Sequence, residues 1–177
     1  LACFGAAGWN PTIVERPEVD TVHLVIVMDV SNSLQRAEGG WEAVRDRTVE
    51  WISNALSNML SITPEQDQGT ILTFGRTVRV LPTVPLVDLP NRISRMDNAD
   101  LAPGDATQIA EALIEAGRVL GRSGGRGAIL LISDGNQTAL GAEEAAQDLA
   151  QRGIPIYVMP REGAAPALAI VAADLPR

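Results

Sequence analysis

Lysine is absent from this chain. All 14 basic residues are arginine, against 22 acidic ones, for a net charge of −8, and the pI is near 4.6. That balance argues against nucleic acid or an anionic membrane as the main partner and suits the collection of cations. There is one cysteine, Cys3, so no internal disulfide can form and the redox compartment is unmarked. Leu1-Ala2-Cys3 is compatible with the end of a lipoprotein signal, but an incidental or buried thiol is the simpler reading. The single histidine, His23, falls at the start of an apolar run and reads as a packed, hydrogen-bonded residue. No apolar run approaches the roughly 18–20 residues of a membrane helix, so direct membrane contact by this segment is not expected. No charged segment precedes Leu1, so an intact signal peptide is not expected either, and the chain reads as an excerpt or a mature form.

What is present begins with VHLVIVMDVSNS, residues 22–33. An apolar run of this length predicts a strand buried on both faces in the middle of a parallel sheet. It ends in Asp29, and Ser31 and Ser33 follow at alternate positions. In open α/β sheets that end of a strand is where ligands bind. A carboxylate and two hydroxyls are hard oxygen donors, suited to Mg²⁺, Mn²⁺ or Ca²⁺ rather than zinc.

Along the chain, residues 1–20 are broken by Gly5, Gly8, Pro11 and Pro17 and read as a lead-in segment. Strand Val22–Met28 is followed by Gly39-Gly40. A helix comes next, with Trp41, Val44, Thr48, Ile52, Ala55, Leu56 and Met59 on one face. Trp41 and Trp51 read as packing groups. Strands are predicted at Thr70–Phe74 and Thr77–Leu81. The link Gly75-Arg76 is so short that the second must be antiparallel, at an edge. The proline-rich stretch 82–106 reads as a long functional loop with a short helix at Asn91–Met96. Asp88, Asp97 and Asp100 in it read as solvated. A helix marked by Ile109, Leu113, Ala116, Gly117 and Leu120 follows. Then come a strand at Ala128–Ser133, a helix at Ala142–Gln151 and a strand at Ile154–Met159. The glycine-rich run 121–127 precedes its strand, where a phosphate loop would follow one. This order predicts an α/β fold: a doubly wound, mostly parallel sheet with one antiparallel edge strand and helices on both faces.

Three oxygen-rich spots remain: Asp29, Ser31 and Ser33 after the first strand, Thr107 at a helix start, and Asp134 after the strand at Ala128–Ser133. Those two strands are natural neighbours at the switch point of such a sheet, so Asp29 and Asp134 would face each other there. Two close carboxylates repel unless a cation lies between them. The site is expected at the surface end of the sheet, so that Asp29→Ala abolishes divalent-ion binding and leaves the fold intact.

Asp29-x-Ser31-x-Ser33 after an apolar strand, Thr107 opening a helix, and Ser133-Asp134-Gly135 after a second apolar strand resemble the von Willebrand factor A domain and its metal-ion-dependent adhesion site. The resemblance covers about Val22–Met159, and it implies a Rossmann-like domain at 21–162, with 163–177 as a C-terminal extension that could begin a following module. It implies that Ser31 and Ser33 bind a divalent cation, Mg²⁺ before Mn²⁺ or Ca²⁺, and that Thr107 ligates it in a ligand-ready state. Asp29 and Asp134 would act through bridging waters or as outer acceptors. It further implies a non-enzymatic, adhesion-type module that binds a protein partner through that partner's acidic side chain. Such a module belongs to a larger membrane-anchored chain, on the extracytoplasmic side of a bacterial membrane. Asn32, Leu34 and Asp105 depart from the family's usual residues. Asp105 places negative charge at the rim, which would discourage an acidic partner.

Two rival functions would call for other residues. A Mg²⁺-dependent phosphohydrolase using Asp29 as nucleophile wants a second acid at position 31, which is Ser31, and a lysine, which the chain lacks. A metal-free scaffold domain would not require the intact set of ligands. A serine hydrolase is excluded by the absence of a G-x-S-x-G context around Ser31 or Ser33.

Overall fold

The computed structural model of the protein describes residues 21–32, 40–58, 66–124, 126–133 and 141–159. The lead-in 1–20 with Cys3, the site candidates Ser33 and Asp134, and the extension 163–177 lie outside the described residues.

The apolar run after Thr21 forms β1 (Val22–Asp29), in which Val25, Ile26, Val27 and Met28 are wholly shielded from solvent. Burial on both faces needs a neighbour strand on each side and a helical layer above and below. The neighbours are β2 (Gln68–Phe74) and β5 (Arg126–Ile132), both parallel to β1. Val25 lies opposite Thr70 on one side and Ile129 on the other. Beyond β2 lies β3 (Val78–Val80), antiparallel, and beyond β5 lies β6 (Ile156–Met159), parallel. The sheet order is β3-β2-β1-β5-β6, with β4 (Val84–Pro85) also antiparallel to β2. The chain leaves β1 toward β2 and leaves β5 toward β6, so the direction of winding reverses between β1 and β5. This is the doubly wound, mostly parallel sheet expected.

Side-chain alternation divides the core in two. Val25 and Val27 face α3 (Ile109–Ser123) and α4 (Ala142–Gln151), meeting Ile109, Leu113, Ala116 and Leu149. Ile26 and Met28 face α1 (Gly40–Asn58) and α2 (Leu89–Ser94), meeting Ile52, Leu89 and Ile93. Trp41 and Trp51 pack against this second cluster, as their helical spacing suggested.

Element ends differ from expectation for local reasons. β5 starts at Arg126, before Ala128, because the Arg126 N–H bonds the Thr21 carbonyl and so extends the ladder past Gly127. β6 starts at Ile156, after Ile154, because the Ile154 N–H turns back to Leu149 of α4. The antiparallel edge holds two segments where one was expected. Proline pointed to loop there, yet Pro85 pairs with Gln68 on the outermost strand, where a missing N–H is tolerated. A 3₁₀ turn at Leu86–Asp88 runs into α2, which begins two residues earlier than expected, at Leu89. Pro90 in its first turn needs no N–H partner.

Candidate metal site at the switch point

β1 ends in a carboxylate that water does not reach: Asp29 is 0% exposed. Its Oδ1 accepts the backbone N–H of Ser31 at 2.8 Å, a turn closed by an Asp side chain two residues back. Its Oδ2 accepts the Ser133 hydroxyl, from the end of β5, at 2.9 Å. At this end of the sheet Asp29 itself is shielded from solvent. Asp29→Ala would strip an acceptor from two donors, so the conservative Asp29→Asn is the better test of the site.

The backbone next to Asp29 is fixed as firmly. Val30 N–H bonds the Phe74 carbonyl at 2.9 Å, carrying the β1–β2 pairing one residue further. Asn32 N–H bonds the Gly104 carbonyl at 2.6 Å. This joins the loop after β1 to the loop that carries Thr107. The approach is close enough that a Cβ on Gly104 would lie 2.6 Å from the Val30 carbonyl oxygen. Glycine here permits a backbone contact that any side chain would block.

The Thr107 loop is fastened to the β2–β3 turn too. Arg76 N–H bonds the Pro103 carbonyl at 2.7 Å, and Gln108 N–H bonds the Gly75 carbonyl at 3.2 Å. A Cβ on Gly75 would meet the Pro103 oxygen at 2.2 Å. Arg76 forms an ion pair with Asp105, so the negative charge expected at the rim is offset. Upstream, the Thr73 hydroxyl donates to the Asp100 carbonyl at 2.8 Å, and Arg92 forks onto both Asp100 carboxylate oxygens at 2.9 and 3.0 Å. The hydrogen bonds from Arg92 hold the Asp100 carboxyl below its ordinary range. Asp100 is thus a latch on the long loop, a correction to its reading as a solvated residue. Asp88 and Asp97 are exposed.

Asp29, Ser31 and Thr107 are therefore buried polar residues on adjoining segments at the C-terminal edge of the sheet. Ser33 and Asp134 lie outside the described residues, although Ser133, next to Asp134, reaches Asp29 directly. Among the described residues no three His, Cys, Asp or Glu side chains come together. The donors at this edge are one carboxylate and hydroxyls, a set that fits a hard divalent cation. Sequence reasoning missed Ser133 as a partner of Asp29. Its place at the end of a second apolar strand, beside β1, is the signal that could have found it. The roles of Gly104 and Gly75 depend on loop-to-loop contacts and leave no such signal.

Residues 23–164 match the profile of the von Willebrand factor type A domain. The chain belongs to that family. Domains of the family often mediate metal-dependent protein interactions. No curated protein matches the chain in sequence. Among solved structures, this VWA domain is similar to proximal thread matrix protein 1 of the mussel byssus, with TM-score 0.64 and 16% identity over 79% of this chain. The chain spans 38% of that protein. A further structure of the same mussel protein, at TM-score 0.62 and 16% identity over 79% of this chain and 35% of that one, has a zinc-occupied MIDAS motif. An aerotolerance-related membrane protein of Bacteroides fragilis is similar at TM-score 0.61 and 22% identity, over 88% of this chain and 76% of that one. At these identities the likeness is one of fold.

Proposed function

We propose that this VWA domain is a metal-dependent protein-binding module. A divalent cation, Mg²⁺ before Mn²⁺ or Ca²⁺, would be held at the switch point by Ser31, Ser33 and Thr107, with Asp29 and Asp134 as charge-balancing acceptors. The observation that carries this reading is the Asp29 carboxylate, buried and held by Ser31 N–H and the Ser133 hydroxyl, beside the buried Thr107 loop. A carboxylate so held is an orienting acceptor, and it is poorly placed to act as a nucleophile. Ligation by neutral hydroxyls leaves the cation strongly electrophilic, and so receptive to a carboxylate from a partner protein.

The family match at 23–164 supports a domain at 21–162, flanked by the lead-in 1–20 and the extension 163–177. We also propose a place in a larger membrane-anchored bacterial chain, with this domain on the extracytoplasmic side; the likeness to a Bacteroides membrane protein supports the membrane association alone. Among the described residues no helix is long and apolar enough to cross a membrane.

The test is calorimetric titration of metal-stripped protein with Mg²⁺, Mn²⁺ and Ca²⁺, beside Asp29→Asn and Thr107→Ala. Saturable binding to the wild type, weakened about tenfold or more in each variant, is the expected result. Equal affinity in folded Asp29→Asn would remove the site from this edge of the sheet.

A further inference from the structure

At the other end of the sheet, the start of β1, the start of β2 and the last turn of α3 border a hollow of about 250 Å³. Among the described residues its lining is polar at His23, Gln68, Thr70, Thr83, Arg122 and Ser123, with two valines beside them. Among the described residues no carboxylate lines it.

His23 is 4% exposed. Its Nε2 lies 2.8 Å from Thr70 Oγ1, which lies 2.7 Å from Thr83 Oγ1. Its Nδ1 is buried and has no hydrogen-bond partner among the described residues. That nitrogen sets the direction of the chain. A proton on Nδ1 would strand a buried N–H, whereas a proton on Nε2 strands only a lone pair, the more readily tolerated of the two. Nε2–H therefore donates to Thr70, which leaves the Thr70 hydroxyl hydrogen available to Thr83. In that polarity Thr83, exposed at the outer end of the relay, keeps its own hydroxyl hydrogen to give. Arg122 is exposed as well, and none of its five N–H donors is used in an ion pair or hydrogen bond among the described residues. The Gln68 amide adds further donors. The Ser123 hydroxyl already donates to the Leu120 carbonyl. Fixed positive charge and unspent donors thus meet in one place, with no acid among the described lining residues.

We infer that this hollow binds a small oxyanion, a phosphate or carboxylate group. The Arg122 guanidinium and the Thr83 hydroxyl grip it, and the His23–Thr70 relay positions Thr83. Arginine's planar fork matches such a group in a two-point contact. The site lies about 20 Å from Asp29, at six residues of strand rise, and does not depend on the metal.

The test follows the imidazole signals of His23, the single histidine, together with the Thr83 and Arg122 amides, by NMR. The protein, in metal-free buffer at pH 7.5, is titrated with inorganic phosphate and separately with acetate, at constant ionic strength against chloride. Saturable shifts at these three residues are expected with at least one of the two anions, and which one responds tells phosphoryl from carboxylate ligands. Arg122→Gln should raise the midpoint at least tenfold and Thr83→Val several-fold, while Asp29→Asn leaves it unchanged. Shifts no greater than those from chloride, or a midpoint unmoved by Arg122→Gln, would overturn the site and leave the metal reading untouched.

Discussion

The Ser133 hydroxyl donates to Oδ2 of Asp29 at 2.9 Å, joining the ends of β5 and β1 across 104 positions of chain. The bond closes the seam at which the sheet reverses its winding, and it fixes one face of the Asp29 carboxylate while Ser31 N–H fixes the other.

Ser133→Ala removes this tie without touching a proposed ligand. A buried carboxylate that loses one donor gives up a charge-assisted hydrogen bond, and folding stability should fall by about 1–2 kcal/mol. Metal affinity should fall as well, by roughly tenfold, as for the outer partners of other metal ligands. Urea denaturation of the metal-stripped protein reads the first effect, and titration with Mg²⁺ reads the second. Unchanged Mg²⁺ affinity would mean that Asp29 needs no orienting partner.

Gly75→Ala probes the fastening of the Thr107 loop. The new methyl would meet the Pro103 carbonyl at 2.2 Å, and a backbone oxygen held by Arg76 N–H cannot swing aside as a side chain would. A loss of about 1–3 kcal/mol is expected from overpacking, read as a lower urea midpoint with an unchanged slope. Gly124→Ala makes an informative control. Nothing lies near its missing Cβ, but its φ of +67° disfavours a side chain, so its cost, about 1 kcal/mol, comes from the backbone alone.

The sheet was legible because β1 and β5 are continuous apolar runs, and such runs mark buried parallel strands wherever they fall. The antiparallel edge was legible from the two-residue link Gly75-Arg76. Its second segment was hidden by Pro82 and Pro85, since proline marks both loops and outer strands. Asp29, Ser31 and Thr107 could be singled out because their positions follow from strand and helix ends, and the structure buries all three. The burial of Asp29 and the latch between Arg92 and Asp100 depend on which loop lies over which, a matter of tertiary contact that alternation and spacing do not encode.

That latch has a pH signature. The hydrogen bonds from Arg92, with smaller help from the Asp97 N–H and from nearby positive charge, lower the Asp100 pKa from its ordinary 3.8. A carboxyl with a lowered folded pKa contributes stability above its unfolded pKa, and that contribution is lost as pH falls through the folded value. The stability difference between wild type and Arg92→Met should be about 1 kcal/mol at pH 7, as for a favourable ion pair that solvent still reaches, and should shrink toward the packing term as pH falls below 3.8 and through the lowered folded value. Chemical denaturation at pH 7, 4 and 2.5 measures it. A difference constant across that range would show that Arg92 acts through its hydrocarbon stem alone.

His23 carries the opposite kind of pH dependence. Burial disfavours its charged form and lowers its pKa below 6.5, and its nearest polar contact, the Thr70 hydroxyl, supplies no compensating charge. As pH falls past 6.5 the unfolded chain takes up a proton before the folded one does. Stability is therefore full above pH 6.5 and is lost progressively below it, until the folded histidine also protonates. His23→Gln retains a side-chain amide beside Thr70 and cannot titrate. The wild type should lose stability relative to this variant between pH 7.5 and pH 5, with the two curves parallel above pH 7.5. Urea midpoints for both proteins at half-unit steps of pH give the comparison, and the shared titration of the carboxylates cancels in the difference. Parallel curves throughout would mean that the folded protein takes up the His23 proton as readily as the unfolded chain, with water reaching a ring that the packing of β1 against α3 encloses.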